Sequence, residues 1–297
     1  MTAEPPQPPR GGAGAGAGAG TRRPARAVIT FLSDYGLQDE FVGVCHGVIA
    51  RRCPGARVID ITHGVPPCDV RAGALALAAA LPFMPAGVHL AVVDPGVGAT
   101  GEQARRAVAV RTAAADRLLV GPDNGLLMLA AERFGGAARA VDLSHSRERA
   151  RGVSRTFHGR DVFAPVAAAL ACGRPLDSLG SELAPGELCP LALPAAAVSG
   201  GALLAHVLRS DRFGNLQLDA TPEQLARVGA RPGGAVAVHH RGRARTALCA
   251  GAFAEVPPGE LLLYEDAQRL LALAVNRGSA ERLLAAARDD ELRLCPA

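Results

Sequence analysis

The chain has 297 residues, 49% of them hydrophobic and 20% charged, which suits one large or two modest folded domains and excludes wholesale disorder. A membrane span is excluded as well, because the longest nearly apolar stretch, residues 72–84, is far shorter than the ~20 residues that a bilayer requires. The formal charge of +4 does not indicate nucleic-acid binding, since residues 1–26 hold four arginines against one glutamate and aromatic residues make up only 3% of the chain.

Residues 1–26 combine proline pairs with a Gly-Ala alternation and lack the apolar core of a signal peptide. Such a segment buries too little surface to fold, so we predict a disordered Gly/Ala/Pro-rich tail. The seven cysteines are irregularly spaced and form no C-x-x-C pair, which argues against a disulfide framework and against a zinc ribbon. Reduced thiols in a cytoplasmic protein are the simpler expectation.

Strand-like and helical patterns alternate from residue 28 to residue 171. Residues 28–32 form a continuous apolar run, typical of a strand buried on both faces, and a helical pattern begins at Phe41. Further strands are predicted at residues 58–61, 88–93, 106–110 and 118–120, and further helices at 69–81 (capped by Asp69), 126–134 and 161–171. This alternation predicts an α/β fold with a mainly parallel sheet.

After about residue 194, the predicted strands no longer alternate with helices. Short strand-like runs separated by Gly, Asp and Pro turns occupy residues 202–209, 216–219, 235–240, 245–250, 261–264 and 271–275, and helices are expected only at 222–228 and 280–288. This spacing predicts a small antiparallel barrel or sandwich. We therefore expect an α/β domain over residues 27–190, a proline-rich linker near 185–194 and a smaller antiparallel β-barrel-like domain over 195–297.

Polar side chains stand where three strands of the first domain end. They are Asp34, Asp94 and the pair Asp123 and Asn124. A single aspartate at such a place is usually a turn or cap residue. Aspartates at three successive strand ends favour a shared pocket, because ligands of open α/β sheets bind beyond the carboxyl ends of the strands.

Two further clusters leave alternatives open. His158 precedes a glycine at the mouth of a predicted helix, and either it belongs to the site or it merely packs while Asp161 caps the helix. Residues 211–215 are either an ordinary hairpin turn or a binding loop, in which Phe213 offers a flat apolar face and Asn215 an amide. Residues 275–278 form a second candidate loop of this kind.

Taken together, these clusters resemble the S-adenosyl-L-methionine (SAM) hydroxide adenosyltransferase family, the adenosine-forming SAM hydrolases, which are related to the SAM-dependent fluorinase and chlorinase. The resemblance extends from Val28 to about Ala286 and rests on seven blocks in the family's order. The blocks are residues 31–36 (FLSDYG), 60–63 (DITH), 66–73 (PPCDVRAG), 93–98 (VDPGVG), 122–125 (PDNG), 156–161 (TFHGRD) and 211–215 (DRFGN).

The resemblance implies attack of water or hydroxide on the ribose C5′ of SAM, with methionine as the leaving group and adenosine as the product. It implies that Asp94, Arg105 (with Arg106 as the alternative) and His158 hold the attacking oxygen. The substrate-binding residues expected on the same basis are Asp34 for the ribose, Asp123 and Asn124 in the pocket, Asp211 or the neighbouring Ser210 together with Asn215 for the methionine end, Phe213 for the adenosine, and Val275 and Asn276 for the adenine edge.

The resemblance also implies that SAM is the substrate and that no metal or cofactor is needed. Neither nucleic acid nor a membrane is expected as a partner. It further implies a homotrimer in which the first domain of one subunit and the second domain of its neighbour form each active site.

Three other functions stay open at this stage. A SAM-dependent halogenase is disfavoured because a carboxylate such as Asp94 repels a halide by about 4 kcal/mol at a separation of about 4 Å and an effective dielectric constant near 20. A SAM-binding module with little catalysis would use the same pocket. A metallo-phosphohydrolase would instead use Asp34, Asp94, Asn124 and His158 as metal ligands.

Overall fold

The computed structural model describes residues 27–101 and 104–297, which form two β-sheets, each packed on its own hydrophobic core. The predicted tail, residues 1–26, lies outside the described residues. The first half of the chain contains β1 Val28–Ser33, α1 Phe41–Arg52, β2 Arg57–Thr62, α2 Val70–Ala80, β3 Val88–Val92, β4 Ala107–Thr112, β5 Leu118–Pro122, α3 Met128–Glu132, β6 Ala137–Asp142, α4 Ala164–Ala171 and β7 Ser181–Leu183.

The first sheet has seven strands in the order β2-β1-β3-β5-β4-β6-β7. Strands β2, β1, β3 and β5 are parallel, whereas β4, β6 and β7 join antiparallel at one side. The predicted α/β fold with a mainly parallel sheet is therefore confirmed. Strands β6 and β7 were not predicted, because the sequence of β6, AARAVD, lacks the apolar run of the central strands.

The central strands are apolar throughout because both faces of the sheet are covered. Phe31 of β1 belongs to the core beneath α1 and α4, and the next residue, Leu32, belongs to the core beneath α2 and α3. Alternating side chains of an extended strand point to opposite faces, so neither face has room for a polar stripe. The predicted cap of α2 is also confirmed, since the Asp69 carboxylate accepts a hydrogen bond of 3.0 Å from the Ala72 amide.

The helix predicted at residues 161–171 begins two residues earlier and in a different form. A π-helical turn over Gly159–Phe163 leads directly into α4. Asp161 lies inside this turn, where its carboxylate accepts hydrogen bonds from Arg160 and from the Ser154 amide, so it does not cap the helix. The π turn is a local widening of the helix that commonly occurs at functional sites.

The second half forms a closed barrel of seven strands, which confirms the β-barrel-like prediction. Its elements are β8 Ala197–Ser199, β9 Ala202–Ser210, β10 Leu216–Leu218, α5 Pro222–Arg227, β11 Ala235–His240, β12 Arg243–Cys249, β13 Leu261–Glu265, β14 Leu271–Val275, α6 Ala280–Leu284 and β15 Glu291–Pro296. The order β10-β14-β13-β12-β11-β15-β9 closes through pairing of β9 with β10, and β8 adds to β9 outside the barrel. Strands β12 and β13 are a parallel pair in an otherwise antiparallel barrel.

The predicted helix at residues 280–288 is too long. Helix α6 ends at Leu284, and Ala285 adopts the left-handed conformation with φ of 50°. The chain then enters β15, whose Leu292 and Leu294 are fully buried in the barrel. Within the described ranges, no helix is long and apolar enough to cross a bilayer.

Two cysteines at helix ends are joined in a disulfide. Cys53 follows α1 and Cys172 follows α4, 119 residues later, and the packing of these helices brings their Cα atoms to 5.9 Å. The expectation of reduced thiols is wrong for this pair, because a contact between residues so far apart in sequence leaves no local signal. The other five cysteines, Cys45, Cys68, Cys189, Cys249 and Cys295, are free thiols.

Protein purified without reductant should therefore react with five equivalents of an alkylating reagent after denaturation, and with seven after reduction. Reduction should also lower the free energy of unfolding by about 2–4 kcal/mol, since the crosslink restricts the unfolded chain. Mass spectrometry counts the labels, and a Cys172→Ala variant is the control, because its Tm should not respond to reductant. Seven labels without reductant would contradict the pairing.

Candidate active site

A polar cleft of about 280 Å³ lies beyond the carboxyl ends of β1 and β3. Asp34 directly follows β1, and Asp94 follows β3 after one further residue. Because these strands are adjacent and parallel, the two aspartates reach the same edge of the sheet. The cleft is lined by Asp34, Tyr35, Phe41, Asp94, Val97, Thr156, His158 and Gly159.

The guanidinium of Arg105 joins Asp94 and His158. Its Nε donates a hydrogen bond of 2.8 Å to Asp94 Oδ1, and its Nη2 donates to Asp94 Oδ2. The same Nη2 donates to His158 Nδ1 at 2.9 Å. The side chains of Asp94 and Arg105 are only 6% and 10% exposed, so this bidentate pair is desolvated and held in one geometry.

Arg105, and not Arg106, contacts the residues that line this cleft. Arg106 donates a hydrogen bond of 2.8 Å from Nε to Asp123 Oδ2, and its Nη2 donates to the carbonyl of Glu187. The other oxygen of Asp123 accepts from the Cys189 amide at 2.8 Å. Through these contacts with Glu187 and Cys189, Arg106 and Asp123 bind the segment before residue 190 to the sheet, away from Asp94.

The contact with Arg105 fixes the tautomer of His158. A guanidinium has no acceptor atom, so His158 Nδ1 must accept, and the ring proton of the neutral imidazole is on Nε2. Burial, together with the positive charge of Arg105, lowers the pKa of His158 below its ordinary value. His158 is therefore a neutral side chain with one N–H available to donate.

Asp34 occupies the cleft beside this cluster. Its Oδ2 accepts a hydrogen bond of 2.8 Å from the Cys68 amide, and Cys68 adopts a left-handed conformation with φ of 63° to donate it. Burial raises the pKa of Asp34, and the negative charge of Asp94 adds to the rise, although the Cys68 amide opposes it. The left-handed conformation of Cys68 costs energy, because Cys68 is not a glycine. Strained residues of this kind are typical of functional sites.

Gly159 leaves room for Tyr35 at the wall of the cleft. A Cβ at Gly159 would overlap the Tyr35 hydroxyl and lie 3.1 Å from its Cζ. Tyr35 also contacts Phe41 and Phe157, with ring centroids 5.8 and 5.9 Å away. The missing side chain thus lets an aromatic cluster form one wall.

Gly159→Ala should displace Tyr35 and lower kcat/KM for the substrate of this cleft by about tenfold or more, because small misplacements at a reacting site are costly. The overlap should also destabilise the fold by about 1–3 kcal/mol. Gly47→Ala in α1 is the matched control, since a Cβ there meets nothing within 4 Å. Steady-state kinetics and thermal unfolding of both variants test this, and unchanged kinetics in Gly159→Ala would contradict it.

A second cleft, of about 710 Å³, opens on the barrel. Four of the predicted residues line it: Asp211, Phe213, Asn215 and Val275. The Asp211 carboxylate accepts from the Phe213 and Asn215 amides at 2.8 and 3.0 Å and from Asn215 Nδ2 at 2.8 Å, which orders the loop. Phe213 is 64% exposed, and within the described chain the guanidinium of Arg212 lies over its ring, 5.0 Å from the centroid.

The remaining predicted residues make internal contacts. Asn124 Nδ2 donates to the Val93 carbonyl at 2.9 Å, and its Oδ1 accepts from the Leu126 amide, so it closes the turn after β5, whereas Asp123 binds Arg106 and the Cys189 amide. Ser210 Oγ donates to Glu281 at 2.9 Å. Both backbone groups of Asn276 are hydrogen-bonded to residues 259 and 260, and its side chain donates to the Val256 carbonyl. The four predicted residues Asp123, Asn124, Ser210 and Asn276 therefore line neither the first nor the second cleft.

Several residues that line the two clefts were not predicted from the sequence as site residues. Both tyrosines of the chain stand in clefts, Tyr35 in the first and Tyr264 in the second. Burial, with the charges of Asp211 and Asp266, raises the pKa of Tyr264. The rarity of aromatic residues was the available signal for Tyr35, which follows β1, whereas Tyr264 lies inside β13.

The metal-ligand set considered for a phosphohydrolase does not assemble around a common point. The guanidinium of Arg105 lies between Asp94 and His158, and its permanent positive charge would repel a cation there. Asn124 is committed to the Val93 carbonyl. These contacts favour an anionic or neutral guest, such as a water molecule with hydroxide character, at this end of the cleft.

Sequence profiles of two domains match the chain. The SAM hydroxide adenosyltransferase N-terminal domain matches residues 29–180, and the C-terminal domain of the same family matches residues 205–293. Among solved structures, an uncharacterized conserved protein from Thermotoga maritima is 36% identical, with a TM-score of 0.82 over 90% of this chain and 99% of that one. A conserved hypothetical protein from Thermus thermophilus is 40% identical, with a TM-score of 0.70 over the same shares.

Curated relatives agree with these matches. An (R)-S-adenosyl-L-methionine hydrolase from Salinispora arenicola is 50% identical over 273 residues, which cover 90% of this chain and 97% of the relative. The protein of the same name from Thermus thermophilus is 43% identical over 86% and 94%. A fluorinase from Actinoplanes sp. is more distant, at 29% identity over 68% and 74%. The resemblance seen in the seven sequence blocks is confirmed, and the chain belongs to the SAM hydroxide adenosyltransferase family.

Proposed function

We propose that this protein is an enzyme that hydrolyses SAM to adenosine and methionine, with Asp94, Arg105 and His158 around the attacking water. The observation that carries the proposal is the contact of Asp94 and His158 with the same nitrogen, Nη2 of Arg105. The three side chains therefore meet within one hydrogen-bonded cluster at the edge of the cleft, where a single oxygen atom can contact more than one of them.

In the proposed step, the water oxygen attacks C5′ and the C5′–S bond breaks. The electron pair of that bond goes to sulfur, so the cationic sulfonium becomes the neutral thioether of methionine. The protonated alcohol at C5′ then gives one proton to Asp94 and becomes adenosine. His158 Nε2–H orients the water by donating to it, since Nδ1 is occupied by Arg105. Arg105 holds the Asp94 carboxylate in place through two hydrogen bonds.

The cleft needs only to position the reactants, because the leaving group departs without help from an acid. Effective molarities of well-oriented reactants correspond to about 7–11 kcal/mol of the barrier. We assign Asp34 to the ribose hydroxyls, since its half-buried carboxylate lies in the same cleft as Asp94.

We further propose that the complete site forms between subunits of a homotrimer. The first cleft, at the ends of β1 and β3, and the second cleft, on the barrel, share no lining residue. Phe213 in the second cleft would pack on adenosine, and Asp211 beside it would bind the methionine amino group. Each chain thus carries two halves that a neighbour can complete. Sedimentation equilibrium of the purified protein should give three times the chain mass of 30.3 kDa.

The deciding experiment is incubation of the purified protein with SAM and quantification of adenosine and methionine. Equal amounts of both products, formed well above the buffer rate and lost in Asp94→Ala, are the expected result. A 5′-halo-5′-deoxyadenosine formed when chloride or fluoride is supplied would indicate a halogenase. Calorimetric binding of SAM without turnover would indicate a binding module, and either result would overturn the proposal.

The names of the relatives specify the (R) epimer at sulfur, so we propose that (R)-SAM is the preferred substrate here. Removal of an unnatural epimer would explain why a cell hydrolyses a costly metabolite. Assays on the separated epimers should give a higher kcat/KM for (R)-SAM. Equal rates for both epimers would contradict the preference and leave the hydrolysis itself unaffected.

A further inference from the structure

Two histidines and an aspartate converge at the edge of the first sheet, outside both clefts. His46 lies on α1, Asp60 on the edge strand β2, and His63 just after that strand. Asp60 Oδ1 is 2.9 Å from His46 Nε2 and 3.2 Å from His63 Nε2. Among the histidine, cysteine, aspartate and glutamate side chains that the structure describes, these three form the group whose possible ligand atoms all lie within 4.8 Å of one another.

These separations suit ligands of one small cation. Zinc bonds of about 2.0–2.2 Å to nitrogen and oxygen in a tetrahedral arrangement place neighbouring ligand atoms about 3.3 Å apart. Two imidazoles and one carboxylate are also a donor set that binds Zn²⁺ and other first-row divalent ions. Asp60 and His46 are 42% and 36% exposed, so a fourth position is open to water.

The unpaired ring nitrogen of His63 independently indicates that a ligand binds here. Its side chain is 97% buried, at 3% exposed, yet Nε2 makes no hydrogen bond, because Asp60 lies outside hydrogen-bond geometry despite its short distance. A buried ring nitrogen without a partner is costly. A metal ion coordinated by Nε2 would remove that cost.

The other side of the His63 ring is arranged as in known metal sites. His63 Nδ1 is 2.7 Å from the hydroxyl of Ser33, which is fully buried and also accepts from the Tyr35 amide. A proton on Nδ1, donated to Ser33, leaves the Nε2 lone pair free for a metal. Phe31 packs edge-on against the ring at 4.7 Å and fixes its plane.

We infer that His46, Asp60 and His63 form a binding site for a divalent transition-metal ion, with Zn²⁺ as the probe. The ion ties helix α1 to the edge strand β2. It also fixes His63, whose contact with Ser33 supports the loop that carries Asp34. The ion is not placed in the cleft and takes no part in the proposed hydrolysis.

The experiment is a calorimetric titration of Zn²⁺ into chelator-treated full-length protein, with the exposed Cys68 and Cys189 replaced by serine so that their thiols do not compete. We expect one equivalent to bind and the Tm to rise with Zn²⁺ concentration. His46→Ala, which removes a half-exposed ligand and leaves the buried ring of His63 in place, should weaken binding at least about tenfold.

His206→Ala is the matched control. His206 Nδ1 also pairs with a carboxylate, 2.8 Å from Asp219, but the next carboxylate, Glu291, lies 3.8 Å from the opposite ring nitrogen, so among the described residues no three ligand atoms converge there. Binding retained in His206→Ala and lost in His46→Ala supports the site. Absence of saturable binding, or equal affinity in His46→Ala, would overturn it. Neither result depends on SAM hydrolysis, which is not measured in the titration.

Discussion

Replacing Arg105 with methionine is expected to lower kcat/KM for SAM by about 100- to 1,000-fold. The substitution keeps the length of the side chain but removes every hydrogen bond that joins Asp94 to His158. Asp94 would then be a buried carboxylate without its guanidinium partner. Steady-state kinetics at neutral pH measure the effect, and Arg105→Lys should give an intermediate value, because an ammonium cannot make the bidentate contact.

Loss of stability has to be separated from loss of catalysis in this experiment. Breaking the buried Asp94–Arg105 pair should itself cost about 3–5 kcal/mol of folding free energy. Arg106→Met is the matched control, because Arg106 pairs with the equally buried Asp123 outside the cleft. It should destabilise the fold comparably while changing kcat/KM less than about threefold. Equal losses of activity in the two variants would contradict the assignment of Arg105.

The neighbouring arginines illustrate what the sequence could not decide. Arg105 and Arg106 are identical in chemistry and adjacent, so composition and motif spacing fit both. They precede β4, where successive side chains of extended backbone point to opposite sides, and only one of them can therefore face Asp94. The selection depends on the register of β4 against β5, a long-range pairing that leaves no trace in the local sequence.

The fold itself was more predictable where burial is uniform. Strands β1, β3 and β5 have both faces covered, so their apolar runs predicted them directly. Strands β6 and β7, at the antiparallel side of the sheet, carry exposed residues and were missed. Strand β15 alternates buried leucines with charged residues, but it follows a helix so closely that the two patterns merged.

The site was predictable to the extent that it follows strand ends. Asp34 and Asp94 were placed in one cleft by that rule, and His158 joined them through the family resemblance. The rule did not distinguish a residue that lines the cleft from one that closes a turn, as Asn124 does, or one that binds a distant segment, as Asp123 does. The difference lies in hydrogen bonds to distant segments, which only the folded chain defines.

Replacing His158 with alanine is expected to lower kcat/KM by about 100-fold, because it removes one of the groups that orient the water. The wild-type enzyme should also lose activity as the pH falls. Protonation of His158 removes the acceptor that Arg105 requires and puts a second positive charge beside the guanidinium. Since burial and Arg105 lower the pKa of His158, the midpoint of this decline should lie below its ordinary value of 6.5.

His158→Asn separates orientation from titration. The asparagine oxygen can accept from Arg105 and its amide can donate to water, but neither group titrates in this range. This variant should retain more activity than His158→Ala, and its acid limb should move to lower pH, where Asp34, with a pKa raised above 3.8 by burial, becomes the titrating group. Rate profiles between about pH 4.5 and 9, with folding checked by circular dichroism, measure both effects. An unchanged acid limb in His158→Asn would show that another group controls it, and full activity of His158→Ala would remove the imidazole from the mechanism.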